Sequence, residues 1–335
     1  MDFDIMYVMA KITVIVPIYK VEKFIARCAN ALFSQTLQDI EYIFVNDATP
    51  DDSIKILNEV LADYPERIPQ VRIINHEKNR GLPAARNTGL KHANGEYIYH
   101  CDSDDYIERT MLKTMYDTAI EHDSDIVWSD WYLTFEEKER YMRQPYYTTA
   151  FDALKGMLSG QMKYNVWNKL ARRALYSDND IRFPEGYGMG EDMTMILLFA
   201  YAQKVTYIPQ AFYHYVKYNY NAFSQTFSIE HLESLKHNES YIENRLRQIY
   251  GNSIDIEIAC FKLEIKFPFL IIGTNPSLYK LWKTTYPEAN KYILKNHYVS
   301  TRSRIIQWCA SKDLWFIVRV HYWIVCRFVY GIIYK

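Results

Sequence analysis

Beyond its first ten residues the chain alternates short apolar runs with stretches whose apolar positions recur every third or fourth residue. Ile12–Ile18 is dominated by Ile and Val and reads as a buried strand. In Glu22–Gln35, Phe24, Ile25, Cys28, Leu32 and Phe33 fall on one helical face. A second strand, Glu41–Val45, runs into Asn46-Asp47-Ala48; Thr49 then suits a helix N-cap and Pro50 the first helical position, where a missing N–H costs nothing. Val71–Asn75, Tyr97–Cys101 and Ile126–Trp128 are further strands, separated by helices near Ala84–Ala93 and Thr110–Glu121. This alternation predicts an α/β domain over residues 11–228, with a mostly parallel, Rossmann-like sheet between helices and ligands at the carboxyl ends of its strands. After Ser228 the strand patterns give way to long helical stretches, Ile229–Ile249 and Ile254–Ile272, so residues 229–335 read as an α-helical C-terminal extension.

Composition adds bounds. The 335 residues are 49% hydrophobic, enough for a sizeable core, and carry a formal net charge of −1, which argues against nucleic-acid binding through a broad basic surface. There are 30 Tyr, 16 Phe and 7 Trp, residues whose flat apolar faces and polar edges suit interfaces, sugar faces and membrane headgroups alike. The five cysteines are scattered without C-x-x-C spacing and read as free thiols of a reducing compartment. The acidic start, MDFDIMYVMAKITV, does not read as an export signal, and the expected location is cytoplasmic.

Candidate chemistry gathers at the strand ends. In His100-Cys101-Asp102-Ser103-Asp104-Asp105, Asp102 and Asp104 point the same way if the segment is extended, and two such carboxylates suit Mg²⁺ or Mn²⁺ completed by phosphates and water. The alternative is a helix cap for a helix beginning near Tyr106, a role that suits Asp105. Asp47 follows a buried strand, where it either accepts a base N–H or forms a turn. Arg86, on a short helix of small residues, faces a base, a phosphate or a surface carboxylate. Downstream, Gly186-Tyr187-Gly188-Met189-Gly190 precedes Glu191-Asp192 at the start of an amphipathic helix; one of these acids can serve as a general base, the alternative being a helix N-terminus favoured by negative charge. His214, between two tyrosines, is either an additional metal ligand or a hydrogen-bonded core histidine. Trp128, Trp131 and Trp167 either stack on sugars or pad the core.

In this order the motifs resemble those of the family-2 nucleotide-sugar glycosyltransferases of the GT-A fold, bacterial polysaccharide type. The resemblance runs from about Lys11 to Phe227. Val14-Ile15-Val16-Pro17-Ile18-Tyr19 looks like the first strand, and Asn46-Asp47-Ala48-Thr49-Pro50-Asp51 like the Asp-Asp-Gly-Ser-Thr-Asp turn. Asn79–Gly89 looks like the Asn-x-Gly-x-x-x-Ala-Arg-Asn-x-Gly helix, Asp102-Ser103-Asp104-Asp105 is similar to the Asp-x-Asp metal motif, and Glu191-Asp192 looks like the pair that holds the catalytic base. Val166-Trp167-Asn168-Lys169-Leu170 and Phe212-Tyr213-His214-Tyr215 match recurring segments. The resemblance implies that Pro17, Tyr19, Glu22, Asp47 and Arg86 line the donor pocket, that Asp104 binds Mn²⁺ or Mg²⁺ with Asp102 near the ribose and metal, and that Asp192, or else Glu191, is the base. Asn46 and Ala48 depart from the turn motif, and Val216 stands where an arginine is usual, leaving Lys217 as a candidate phosphate contact.

The activity implied is inverting transfer of a sugar from a nucleoside-diphosphate donor, a UDP-sugar, to a hydroxyl of a glycan or lipid-linked glycan in cell-surface polysaccharide synthesis. A sugar nucleotidyltransferase would want a Gly-rich, basic phosphate loop after the first strand, which Pro17-Ile18-Tyr19-Lys20 is not; a Rossmann oxidoreductase would want G-x-G-x-x-G there. A non-catalytic nucleotide-sugar-binding scaffold is the remaining alternative, disfavoured by retention of both acid pairs. Leu314–Tyr334 is apolar almost all round yet contains Arg319 and Arg327, a composition suited to lying in a membrane interface rather than crossing it, which predicts peripheral attachment to the inner face of the cell membrane; the alternative is a core helix packing on the catalytic domain.

Overall fold

The computed structural model describes residues 10–187, 190–217, 229–325 and 327, the side chains of Asp192 and residues 229–231 excepted. The chain divides into two compact units, one running up to Phe151 and again over Tyr164–Asn238, the other made of Asp152–Lys163 and the residues from Glu239 onward.

The first unit contains β1 (Ile12–Ile18), α1 (Ile25–Phe33), β2 (Ile40–Asn46), α2 (Ser53–Ala62), β3 (Val71–Asn75), α3 (Leu82–His92), β4 (Tyr97–His100), β5 (Tyr106–Ile107), α4 (Met111–Glu121), β6 (Ile126–Thr134) and β7 (Glu139–Met142). After α5 (Ala150–Leu158), where the units divide, follow β8 (Lys169–Arg172), α6 (Arg173–Asp178), α7 (Gly190–Tyr201) and β9 (Val205–Val216). One sheet orders the strands β3-β2-β1-β4-β8-β6-β9-β5, with β7 paired to β6. β1 pairs in parallel with β2 and β4, and β2 with β3, as the alternating pattern requires. Beyond β4 the sheet is mixed: β8 is antiparallel to both β4 and β6, β5 to β9 and β7 to β6, while β6 and β9 are parallel. The sheet is therefore as much antiparallel as parallel. The antiparallel additions β5, β7 and β8 are too short to leave a period-2 signature.

Burial explains the central strands. Every β1 residue but Pro17 is buried, so the strand is Ile/Val-rich rather than alternating. Helix α3 lies very close against it: a Cβ at Gly89 would stand 2.3 Å from Ile15 Cγ2. Two local expectations shift. Helix α2 starts at Ser53, not at Pro50, because Asp51 makes the turn; its carboxylate accepts from the Thr49 hydroxyl (2.6 Å), the Ser53 hydroxyl (2.6 Å) and N–H (3.2 Å), and the Glu22 N–H (3.1 Å). No helix begins at Tyr106; that residue opens β5, and Asp105 is buried, accepting from the Tyr213 hydroxyl at 2.6 Å and the Val216 N–H at 2.7 Å. It fastens the end of β9 to the acidic loop instead of capping a helix.

The second unit takes in the rest of α8 (Ile229–Tyr250), α9 (Asp255–Lys266), α10 (Pro276–Thr284), α11 (Thr301–Ser311) and α12 (Trp315–His321), with 3₁₀ segments at Phe267–Leu270 and Pro287–Lys295. Asn275 caps α10 and Ser300 caps α11. At its centre Lys266 is fully buried, donating to the Thr285 and Tyr286 carbonyls and to Asn290 Oδ1 (3.0, 3.1 and 2.6 Å), with Nζ 4.3 Å from the Trp282 ring centroid. Burial brings its amine down to about 8. Among the described residues no helix is long and apolar enough to cross a membrane.

Candidate active site

The carboxyl ends of β1, β2 and β4 share one edge of the sheet because these strands are parallel neighbours. That edge carries Pro17 and Ile18 from β1, Asn46 and Asp47 after β2, and Asp102 after β4. Helix α3 runs beside it and contributes Arg86, whose side chain is 1% exposed. The guanidinium spans the acids: Nη2 donates to Asp102 Oδ1 at 2.8 Å and Nη1 to Glu191 Oε1 at 2.6 Å. The first acid of the Asp-x-Asp sequence and the first residue of the Glu-Asp pair, 89 positions later, are thus joined through one cation.

The neighbouring residue completes this junction. Asn87 donates to the Phe183 carbonyl (2.8 Å) and Glu185 Oε1 (3.1 Å) and accepts from the Phe183 N–H (2.9 Å). Arg80 pairs with Glu185 at 2.9 Å, and the Arg86 guanidinium lies 5.3 Å from the Phe183 ring centroid. The stretch before α7 is therefore tied to α3 by Arg80, Arg86 and Asn87, and α7 begins at Gly190, where a Cβ would meet Pro184 Cδ at 2.4 Å. Asn87, Phe183 and Glu185 were not singled out from sequence, although Asn87 stands inside the Ala-Arg-Asn motif.

Asp102 is crowded. Burial raises its carboxyl to about 6; Arg86 pulls it down while Glu191 and Asp104 push it up. Burial also holds Asp105 well above the usual carboxylate range, with Asp104 and Asp102 adding to the effect. The loop is held from behind: Arg27 Nη2 donates to the Asp104 carbonyl at 3.0 Å, and the Asp102 N–H meets the Tyr213 hydroxyl at 3.3 Å. Asp102 and Asp104 are both partly exposed. A pair of mutually repelling carboxylates open to solvent fits a hard divalent cation that takes its other ligands from phosphate and water. Among the described residues no group of three or more His, Cys, Asp or Glu is placed to hold a metal ion.

Other candidates lie as follows. Asp47 is buried, with Oδ1 accepting from the Arg80 N–H (2.8 Å) and facing His76 Nδ1 (2.7 Å), and Oδ2 accepting from the Gly81 N–H (2.7 Å). Of its two sequence readings the turn-forming one describes these contacts: it holds the loop leading into α3, where Gly81 has φ +87°. Glu22 accepts from the Asp52 N–H at 3.3 Å, and Tyr19 is exposed with Lys20 Nζ 5.1 Å from its ring centroid. Lys217 lies over the Tyr215 ring, Nζ 4.8 Å from its centroid.

His214 is not with the acids. Alternation along β9 turns Tyr213 toward Asp105 and His214 to the other face. There Nδ1 lies 2.7 Å from Glu139 and Nε2 3.0 Å from Glu108, the ring stacked between Tyr106 and Tyr132. With both nitrogens occupied, the metal-ligand expectation gives way to the hydrogen-bonded core histidine. Trp128, Trp131 and Trp167 are likewise buried, Trp167 stacking on Tyr213 at 4.2 Å. Glu191 is bound by Arg86; Asp192 follows it in α7, its side chain lying outside the described residues. Lys169 on β8 is buried and donates to the Asn165 carbonyl (2.6 Å) and Asn168 Oδ1 (2.9 Å); burial lowers its amine to about 7, partly offset by the charge of Glu191.

Comparison with known proteins bears on the fold and the family. Among solved structures, Staphylococcus aureus TarS 1-349 in complex with UDP-GlcNAc matches with a TM-score of 0.68 over 93% of this chain and 91% of that one, at 23% identity, a likeness of fold. The poly(ribitol-phosphate) beta-glucosyltransferase of Bacillus spizizenii (strain ATCC 23059 / NRRL B-14472 / W23) is 40% identical over 119 residues, 35% of this chain and 18% of its own. The uncharacterized glycosyltransferase EpsJ of Bacillus subtilis (strain 168) is 35% identical over 213 residues, 61% of this chain and 60% of that protein, so the chain spans about three fifths of this relative's length. The model of glycosyl transferase family 2 matches residues 13–186, more than half of the chain, and with the GT-A-type sheet and the acids at its edge it establishes that the protein belongs to this glycosyltransferase family.

Proposed function

We propose that this glycosyltransferase moves a sugar from a UDP-sugar to a hydroxyl of a lipid-linked glycan, with inversion at the anomeric carbon, in the synthesis of a cell-surface polysaccharide. The observation that carries the reading is the Arg86 bridge. By joining Asp102 to Glu191 it sets the donor-side acids and the Glu-Asp pair beside one another, as direct transfer between two bound substrates requires. Asp104 and Asp102 would hold Mg²⁺ or Mn²⁺, which when bound would supply positive charge against the diphosphate leaving group. Pro17 and Tyr19 at the end of β1 and the Asp47-anchored loop border the donor. Asp192 is the general base. Glu191 is engaged by a buried guanidinium, so the role of meeting the acceptor hydroxyl falls to its neighbour. As Asp192 takes the acceptor proton, the acceptor oxygen bonds to the anomeric carbon from the face opposite the departing diphosphate, and configuration inverts.

The relative named for poly(ribitol-phosphate) supports a polymeric cell-surface acceptor, and the TarS complex supports a UDP-linked donor. Attachment to the membrane is supported by α12. On it and the turn that follows, Phe316, Ile317, Val320, Trp323 and Ile324 are exposed while Val318 is buried. At 100° per residue the three on α12, Phe316, Ile317 and Val320, fall in an arc of about 100°, with Arg319 outside it and Val318 on the far side. The apolar stripe faces outward, inverted from that of a core helix.

UDP release and acceptor glycosylation with a panel of UDP-sugars test the reading. Both should need Mg²⁺ or Mn²⁺ and vanish in Asp104→Ala, whereas Asp192→Asn should keep calorimetric donor binding and lose transfer. Full turnover in excess EDTA, or loss of donor binding in Asp192→Asn equal to its loss of rate, would overturn it.

A further inference from the structure

The second unit has a groove that the transfer reaction does not use. Its walls are Asn290, Lys291 and Leu294 from the 3₁₀ segment Pro287–Lys295, and Trp308, Ser311 and Lys312 at the end of α11 and just beyond, enclosing about 320 Å³. No acid lines it. Leu294 is 58% exposed and Trp308 39%, large apolar surfaces left in water beside two exposed ammonium groups. Further cationic charge lies close by, since Lys291 and Lys295 both stand over the Tyr292 ring, at 5.0 and 5.7 Å from its centroid. The nearest acid in sequence, Asp313, is already paired with Lys283 at 2.7 Å and adds no unpaired negative charge.

We infer that this groove is a binding site for the phosphate headgroup of an anionic phospholipid, Lys291 and Lys312 facing the phosphate while Trp308 and Leu294 lie against the glycerol and upper acyl chain. The charge and the apolar surface select the occupant together. A soluble anion would leave Trp308 and Leu294 in water, and a zwitterionic lipid would present a choline or ethanolamine cation to two lysines. Trp suits this place because its flat ring prefers the headgroup level of a bilayer and its N–H remains able to donate there. The inference rests on the membrane reading of α12 and deepens it: α12 supplies an apolar stripe indifferent to lipid charge, and the groove supplies selection for negative lipid. Asn290, whose Oδ1 accepts from Lys266, keeps its amide N–H groups as donors of the kind that phosphate oxygens accept.

The test is flotation of the full chain with vesicles of phosphatidylcholine alone and with 30% phosphatidylglycerol, wild type against Lys291→Glu/Lys312→Glu. The wild type should prefer the anionic vesicles, and the charge reversal should reduce binding to them at least tenfold, since each basic residue near such a surface contributes roughly fivefold. Binding to neutral vesicles and UDP release should not change. Inorganic phosphate at millimolar concentration should not compete. If the variant retains the wild-type preference, the groove is not the headgroup site although α12 still binds membrane; if the wild type floats with neither vesicle, the membrane reading fails with it. Trp308→Ala, which removes the apolar wall without altering charge, should weaken anionic binding with unchanged salt dependence; unaltered binding would equally overturn the assignment.

Discussion

Arg86 makes two ion pairs from one buried guanidinium, and its removal has two separable consequences. Arg86→Met leaves Asp102 and Glu191 near one another without their shared cation. Both acids remain partly exposed, so solvent screens part of the repulsion, and the expected loss is about 1–3 kcal/mol rather than the full cost of a broken buried pair. Asp102, whose carboxyl already lies at about 6, should rise further without the Arg86 charge. Urea unfolding and UDP binding against pH check both: the variant should bind donor normally only at a higher pH than wild type. Lys169 supplies a stability prediction of definite sign. Its amine titrates at about 7 in the fold and near 10.5 when unfolded, so between these values the unfolded chain binds more protons and stability rises with pH. Below about pH 7 the cost of the buried ammonium is fully present. Lys169→Met removes this contribution, so the wild-type unfolding midpoint should gain on the variant's from pH 7 to pH 9; a constant gap would mean the amine is not buried as described.

At the scale of elements, α3 is where local sequence and site geometry meet most tightly. Gly89 lets the helix approach β1, and Arg86 lies one turn earlier on it. Gly89→Val should cost about 1–3 kcal/mol by forcing the helix off Ile15, and should lower transfer more than a stability loss alone because it displaces Arg86. Ile15→Ala in the same chain opens space at the contact, and partial recovery of activity in the double variant, measured as UDP release at saturating donor, would locate the effect there. β1 was legible because burial left a continuous apolar run, and β3, only half-buried, because Val71, Ile73 and Ile74 are β-branched; both occupy the residues their patterns indicated, and β2 and β4 lie within a residue of theirs. What was illegible was set by tertiary pairing. Tyr106–Ile107 is a strand only because β9 lies beside it, and Asp105 looks like a cap until Tyr213, 108 residues away, brings its hydroxyl to it. The same holds at the site. The acids were readable as motifs, but that Arg86 would bind two of them, and that His214 would turn away between two glutamates, depends on α3–α7 and β5–β9 neighbours that no local spacing encodes.

For the molecule as a whole, the question is what would turn the enzyme toward the proposed lipid-linked acceptor. No described helix can cross a bilayer, and the exposed apolar stripe of α12 is flanked by a cation instead of being buried. Residues 326 and 328–334 of the segment read from sequence lie outside the described residues. Phe316 is 78% exposed and Trp323 57%, so replacing them removes no core contact, whereas Trp315 next door stacks on Tyr279 at 4.8 Å and belongs to the fold. Phe316→Ser/Trp323→Ser/Ile324→Ser should therefore leave the unfolding midpoint within about 0.5 kcal/mol of wild type for each exposed change. UDP-sugar binding should persist, because the donor acids lie in the first unit. Vesicle binding should fall at least tenfold for neutral and anionic lipid alike, since each side chain withdrawn from the interface forfeits on the order of 1 kcal/mol of apolar burial. Transfer to a lipid-linked acceptor in vesicles should fall with it, while transfer to the same glycan freed from its lipid should not. Equal loss on both acceptors would mean that α12 serves the catalytic geometry rather than the membrane.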